Sequence, residues 1–255
     1  MTRQATAIIQ ARMGSSRLPG KVLMEVLGRT LMDWQVDRLS LARRVDSIVL
    51  ATTTDPKDDP LADWAQGRGL LFYRGSEDDV LDRYRRAADQ AGAEHVIRIT
   101  GDCPLLEPLV VDRLVETYFE AQADYVHTTP EFCEGVDCEI FSRAVLETAW
   151  QNARLASERE HVTQYLHNNK SRFRIVPLEN GADDSRYRFT VDEPEDFQVV
   201  KAIMEALDGS REPYFTVEDI KSYLDGHPEV AAVNSSIIRN EGLLKSLAED
   251  HVVKP

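Results

Sequence analysis

Apolar and polar positions along the chain switch repeatedly between a period of two and a period near 3.6. That switching predicts strands alternating with helices. Short apolar runs bounded by turn residues predict strands over 5–10, 47–52, 70–73, 95–100, 123–128, 137–141, 173–178 and 187–191. Amphipathic spacing predicts a helix over 31–41, with Leu31, Trp34, Val36 and Leu39 as its apolar positions. Further helices are predicted over 77–91, 108–121, 157–167, 193–207 and 216–224, and over part of the polar tail at 241–249. The one over 77–91 carries acids at its start and arginines further on, the sense that suits the helix dipole. Ser157-Glu158-Arg159-Glu160 reads as a capping box, and Pro194 sits in a first turn, where proline is tolerated.

Strand–helix alternation of this kind predicts a layered α/β sheet with ligands at the carboxyl ends of the strands. The interruption at 131–141 predicts a mixed rather than purely parallel sheet. Asp208-Gly209-Ser210-Arg211-Glu212-Pro213 reads as a loop and a boundary. It divides a main unit over 1–208 from a short helical extension over 209–255, too short to fold as an independent domain.

Composition narrows the class. The 255 residues carry 30 Lys+Arg against 44 Asp+Glu, a formal net charge of -14, which argues against nucleic acid or an anionic membrane as the main partner. No run is long and apolar enough to span a bilayer. Arg3 leads straight into a strand-like segment rather than a leader, and Cys103, Cys133 and Cys138 form neither a CxxC nor an even set. The expectation is a cytoplasmic protein with no disulfide framework and no zinc site.

The chemistry begins at the first strand. Ala7-Ile8-Ile9-Gln10-Ala11-Arg12-Met13-Gly14-Ser15-Ser16-Arg17-Leu18-Pro19-Gly20-Lys21 is an apolar strand that stops at a loop of glycines, serines and three cations. Such a loop offers backbone N–H groups, hydroxyls and fixed positive charge to a polyphosphate. It matches neither the Walker pattern nor G-x-G-x-x-G. The competing view is a solvated surface turn, with Arg17 held by a neighbouring acid.

Two further strand ends deliver single acids. In Thr100-Gly101-Asp102-Cys103-Pro104, a glycine allows close approach and Asp102 is either a metal ligand or an Asx turn. In Arg188-Phe189-Thr190-Val191-Asp192-Glu193-Pro194, Asp192 is either a second ligand or a helix cap. Arg74-Gly75-Ser76-Glu77-Asp78-Asp79-Val80-Leu81-Asp82-Arg83 is a well-capped helix start or a ligand-contacting segment, with Ser76, Asp79, Asp82 and Arg83 as candidates. Asp137 and Glu139 share one side of a predicted strand and either bind an acceptor or face solvent. His161 is an acceptor contact or a core histidine, and Arg98 reaches the ligand or forms a buried pair.

The opening run resembles the I-P-A-R-x-x-S-x-R-L-P-x-K signature of the cytidylyltransferases that activate acidic sugars as CMP conjugates. It is most similar to the spore coat polysaccharide biosynthesis protein F branch, which carries Gln10 in place of the proline. Thr100–Leu106 resembles that family's Q-G-D-x-P-L, and Asp192–Asp196 its D-x-P-x-D. The G-x-D-x-E-x-F at Gly135 and R-E-H-V-T at Arg159 also recur in the branch. The resemblance runs in order over about residues 5–207, with a recognisable tail at 238–247.

It implies a three-layer Rossmann-like nucleotidyltransferase fold of the nucleotide-diphospho-sugar transferase type, with a mixed, mainly parallel sheet. It implies a Mg²⁺-dependent transfer from CTP to a small anionic acceptor, and a homodimer. Arg12 and Lys21 would neutralise the triphosphate and the departing pyrophosphate, and Asp102 and Asp192 would hold the metal. The nucleotide would lie on Gln10, Ala11, Arg12, Met13, Gly14, Ser15, Arg17 and Lys21, with the Ser76–Arg83 segment at the base. Asp137, Glu139 and His161 would face the acceptor. Two other readings stay open: a nucleotide-sugar glycosyltransferase, for which Asp137-x-Glu139 is the available D-x-D analogue, and a non-catalytic nucleotide-binding protein.

Overall fold

A computed structural model of the chain describes residues 4–209 and 213–253. Arg3 and the Ser210–Glu212 part of the boundary loop lie outside the described residues. In chain order the first half runs β1 (Ala5–Gln10), a small hairpin of β2 (Glu25–Val26) and β3 (Arg29–Thr30), α1 (Leu31–Leu39), β4 (Val45–Thr53), α2 (Asp59–Gly67), β5 (Leu71–Gly75), α3 (Val80–Ala91), β6 (His95–Thr100) and α4 (Pro108–Ala121). The second half runs β7 (Tyr125–Thr128), β8 (Glu139–Ser142), α5 (Arg143–Asn152), α6 (Ala156–Glu160), α7 (Gln164–Asn168), β9 (Ile175–Leu178), α8 (Pro194–Leu207), α9 (Val217–Gly226), α10 (Pro228–Ala231) and α11 (Glu241–Ala248).

Seven strands form one sheet in the order β5-β4-β1-β6-β8-β7-β9. β8 runs antiparallel to both of its neighbours, and the other pairings are parallel. The mixed sheet predicted from the 131–141 interruption is therefore present. Alternate side chains feed opposite faces, as a sheet buried on both sides requires. Ala7, Ile9, Ile97 and Ile99 enter the core under α1, α4 and α8, while Ile8 and Val96 enter the one under α3 and α5. The Tyr84 hydroxyl, fully buried on α3, donates to Ile8 O at 3.0 Å and Ile99 O at 2.9 Å, joining that helix to the two central strands.

Most helix starts follow local capping chemistry. Thr30 and Asp33 form a reciprocal box at α1, and Thr216 and Asp219 another at α9. Asp79 caps α3 by accepting from Asp82 N at 2.9 Å, and Gly92 ends that helix with φ 64°.

Two predicted elements differ. The helix expected over 157–167 is split into α6 and α7, because Val162 takes φ 49°, which a continuous helix forbids. Its cap also differs: Leu155 is the N-cap residue, Glu158 accepts from Arg154 N and Leu155 N, and Ser157 instead bonds Asp250. The strand expected over 187–191 is an extended segment with a single bridge, Glu134 to Arg188. Its buried Tyr187, Phe189 and Val191 give the period-two pattern, but its backbone bonds go to loops rather than to a ladder. α2, α5, α10 and the β2–β3 hairpin have no counterpart among the predicted elements.

Candidate active site

The loop after β1 is folded on its own backbone. Met13 O accepts from Ser15 N at 3.0 Å and from Gly20 N at 2.9 Å, and Gly20 has φ 73°, a conformation that favours glycine. The Ser15 hydroxyl accepts from Leu18 N at 3.3 Å. Buried Asp58, just after β4, accepts from Met13 N at 2.6 Å and from the Thr53 hydroxyl. The loop is thus clamped to the neighbouring strand end.

Its cations converge on acids. Lys21 Nζ donates to Asp192 Oδ1 at 2.8 Å and to Val191 O at 2.5 Å, and stands 3.9 Å from Asp102 Oδ2. Arg17 meets Asp192 at 3.2 Å, Glu193 at 3.1 Å and Glu241 at 3.1 Å. Arg12 pairs with Glu77 at 2.8 Å.

Asp102 and Asp192 come together because their strand ends are stitched. Asp102 O accepts from Val191 N at 2.8 Å and from the Thr190 hydroxyl at 3.0 Å. Gly101 N donates to Gln10 O at 2.8 Å, and a Cβ at Gly101 would lie 2.7 Å from Ala11 Cβ, so only glycine lets β1 and β6 end this close. Neither acid caps a helix. α8 is capped by Asp196, which accepts from Asp192 N and Glu193 N at 3.0 Å each. Asp192 is braced from below by Arg188, which also grips Asp196 at 2.8 Å and Glu134 at 2.5 Å. Burial pushes the Asp102 carboxyl up, but the Lys21 ammonium and hydrogen bonds from Thr100 and Cys103 outweigh it and hold the group below the usual carboxylate range.

Two carboxylates sharing one ammonium form a pocket already shaped for positive charge. Their donors are hard oxygens, and among the described residues no cluster of three or more His, Cys, Asp or Glu side chains forms a metal cage. That donor set suits Mg²⁺, which takes one or two carboxylates and completes its shell with phosphate oxygens and water.

Above these groups lies a cleft of about 1890 Å³. Gln10, Ala11, Arg12, Ser15, Ser16, Arg17, Lys21, Asp79, Asp82, Arg83, Asp102, Asp192 and His161 line it. Met13, Gly14 and Ser76 support its walls without lining it. Ser76 accepts from Asp79 N at 3.2 Å, and Ser76 O accepts from Arg83 Nη1 at 2.6 Å. Arg83 is 3% exposed and its Nε has no partner, so one edge of a buried guanidinium is left unsatisfied at the cleft wall. Asp79 pairs with Arg159, and Asp82 with Arg85.

Asp137 and Glu139 do not form the predicted two-acid face. The strand begins only at Glu139, and Glu139 is withdrawn into a buried pair with Arg98 at 2.6 Å, bonded also by the Tyr125 and Thr163 hydroxyls. Asp137 accepts from Gly135 N at 3.1 Å and pairs with Arg239 at 2.7 Å. Neither lines the cleft. The D-x-D analogue that kept a glycosyltransferase reading open therefore presents no paired carboxylates. His161 Nε2 is buried without a hydrogen bond, 3.6 Å from Glu160, and burial lowers its pKa.

Asp58 was within reach of the rule that found Asp102, being an acid just after a strand end. The far wall was not. Trp150, Gln151 and Arg159 build it together with Leu244, Lys245, Ser246, Glu249, His251 and Val253 of the C-terminal segment.

A family model described as cytidylyltransferase matches residues 6–221. The chain belongs to the cytidylyltransferase family. It is 32% identical to the spore coat polysaccharide biosynthesis protein SpsF of Bacillus subtilis, over 88% of this chain and 95% of that one. It is 35% identical to a 3-deoxy-manno-octulosonate cytidylyltransferase of Geobacter sulfurreducens, over 46% of each chain. A solved cytidylyltransferase from Leptospira borgpetersenii superposes with a TM-score of 0.84 at 31% identity, covering 92% of this chain and 98% of that one. This cytidylyltransferase is thus a nucleotidyltransferase enzyme that uses CTP. Its wall formed by Leu244–Val253 lies beyond the residues that the family model matches. Among the described residues no helix is long and apolar enough to cross a membrane.

Proposed function

We propose that the enzyme moves the cytidylyl group of CTP to an anionic sugar, with Mg²⁺, and releases pyrophosphate, in the making of a surface polysaccharide. The observation that carries this reading is the convergence of Asp102, Asp192 and Lys21 beneath a loop of cations. The names of SpsF and of the octulosonate cytidylyltransferase support the acceptor class and the setting. Use of CTP supports a cytoplasmic enzyme, and the family resemblance supports a homodimer. A single light-scattering peak at the monomer mass would remove the dimer.

In this reading an acceptor oxygen attacks the α-phosphorus of CTP. The bond to the bridging oxygen breaks, pyrophosphate leaves with its electron pair, and the acceptor proton passes to solvent. Asp102 and Asp192 hold Mg²⁺, which when bound supplies charge neutralisation at the phosphates. Lys21 and Arg12 give up their acids to the triphosphate, Lys21 as a point charge and Arg12 as a flat two-pronged donor. Positioning and electrostatic stabilisation are what such a transfer asks of the protein. Arg83 and the carbonyls and acids around it face the base.

Pyrophosphate release with CTP, Mg²⁺ and a panel of sugar acids, 3-deoxy-manno-octulosonate among them, tests the whole reading. A thermal-shift series of CTP, UTP, ATP and GTP with and without Mg²⁺ tests its first half. A Mg²⁺-dependent rise selective for CTP is expected, and equal shifts with all four would remove the base preference.

A further inference from the structure

The wall beyond the family match is built unlike the rest. α11 contributes no buried side chain, yet it crosses the cleft between two anchored flanks. On the leading flank Asn234 donates to Arg188 O at 3.2 Å and to Asp196 at 2.9 Å, and Arg239 donates to Pro130 O and Phe132 O at 2.8 Å. On the trailing flank Asp250 accepts from the Ser157 hydroxyl at 2.7 Å, and Leu155 bridges Val252. Among the described residues two side-chain polar ties hold the helix itself: Glu241 to Arg17 at 3.1 Å and Ser246 to Glu160 at 2.7 Å.

Arg17 is therefore contested. Asp192 sits on Nη2, while Glu193 and Glu241 share Nη1. With Asp192 turned to Mg²⁺, a phosphate gripping both terminal nitrogens competes with Glu193 and Glu241 for Nη1. Asp192 and Glu193 sit at the start of α8, which is packed into the core. Glu241 opens a helix with nothing buried, and elements of that kind open at the lowest free energy. Glu241 is the one that yields.

Resting on the reading of this chain as a CTP-dependent transferase, we propose that α11 is a nucleotide-responsive lid over the acceptor half of the cleft. The triphosphate takes Arg17 from Glu241 and frees the leading end of α11. The acceptor is then admitted between Lys245 and His161, so CTP binds first. The flanks stay pinned and the lid hinges between them.

Hydrogen exchange over 241–248 and CTP titration, both with Mg²⁺ and the full chain, test this without knowledge of the acceptor. Mg²⁺·CTP is expected to speed exchange over 241–248 severalfold, while CMP, which lacks the outer phosphates, leaves it unchanged. Glu241→Gln is expected to show fast exchange before any nucleotide is added. It should also bind CTP about two- to fivefold more tightly, the range of an exposed ion pair. Glu205→Gln makes the same change in net charge on an exposed face outside the cleft and should leave affinity near that of the unaltered protein. Unchanged exchange on CTP binding, or equal tightening by both variants, overturns the lid. If the unaltered protein binds no CTP at all, the parent reading falls.

Discussion

The two walls of the cleft are made by opposite means. The phosphate wall is fixed at every point: Asp58 holds Met13 N, Gly101 seats against Ala11, and the Asp102 carbonyl is bonded by residues 190 and 191. The outer part of the far wall is α11, a helix with no buried residue, held by one ion pair and one side-chain hydrogen bond. Chemistry common to the family needs charges placed within a few tenths of an ångström, and rigid strand ends supply that placement. A wall that meets a variable acceptor gains from being loosely held. Precision and exchangeability are thus segregated to opposite sides of one cavity.

Replacing the fixed side should cost most. Asp102→Asn or Asp192→Asn should lower pyrophosphate release by at least about a hundredfold while the fold is retained. Retained turnover in both would show that the stitched carboxylates are not the reactive pair. Arg98→Met leaves a half-buried Glu139 without its cation, though still bonded by Tyr125 and Thr163, and about 1–3 kcal/mol of stability should be lost in urea unfolding. Gly101→Ala forces its new methyl against Ala11 and should cost about 1–3 kcal/mol together with activity.

Acid should act through the half-buried histidines. Burial lowers the pKa of His95, His161 and His167. Their contribution to stability is full above the unfolded value of about 6.5 and is lost as pH falls through the lower folded values. The melting temperature should therefore drop between about pH 7 and pH 5, and His167→Asn should flatten that drop. The smallest effect belongs to the loose side: Leu247→Ser on α11 should change stability by no more than about 0.5 kcal/mol. A loss of several kcal/mol there would erase the contrast between the walls.

The same contrast governs what the sequence could disclose. β1, β6 and α4 have the bounds predicted from their patterns, because each is a local run closed by turn chemistry. The loop after β1 and the two converging acids were legible as strand ends carrying charge. The 187–191 segment misled because alternating apolar and polar residues do not require a ladder: all five are buried, and their backbone partners are loop atoms. The break at Val162 left no mark in an otherwise helical run. Glu139 looked like a companion of Asp137, and only the packing of Arg98, Tyr125 and Thr163 shows it turned inward. The far wall was illegible because its decisive tie joins residues 224 positions apart, Arg17 and Glu241.

The Thr190–Asp102 bond has a consequence for how the protein comes into being. It closes a span of 88 positions and helps bring Asp102 and Asp192 together. On the ribosome the first six strands can pair while the catalytic pocket still lacks one of its acids. A nascent chain therefore stays inert until the segment after β9 has emerged and docked. In refolding from urea, recovery of secondary structure should precede recovery of nucleotide binding, since contacts this distant in sequence form late.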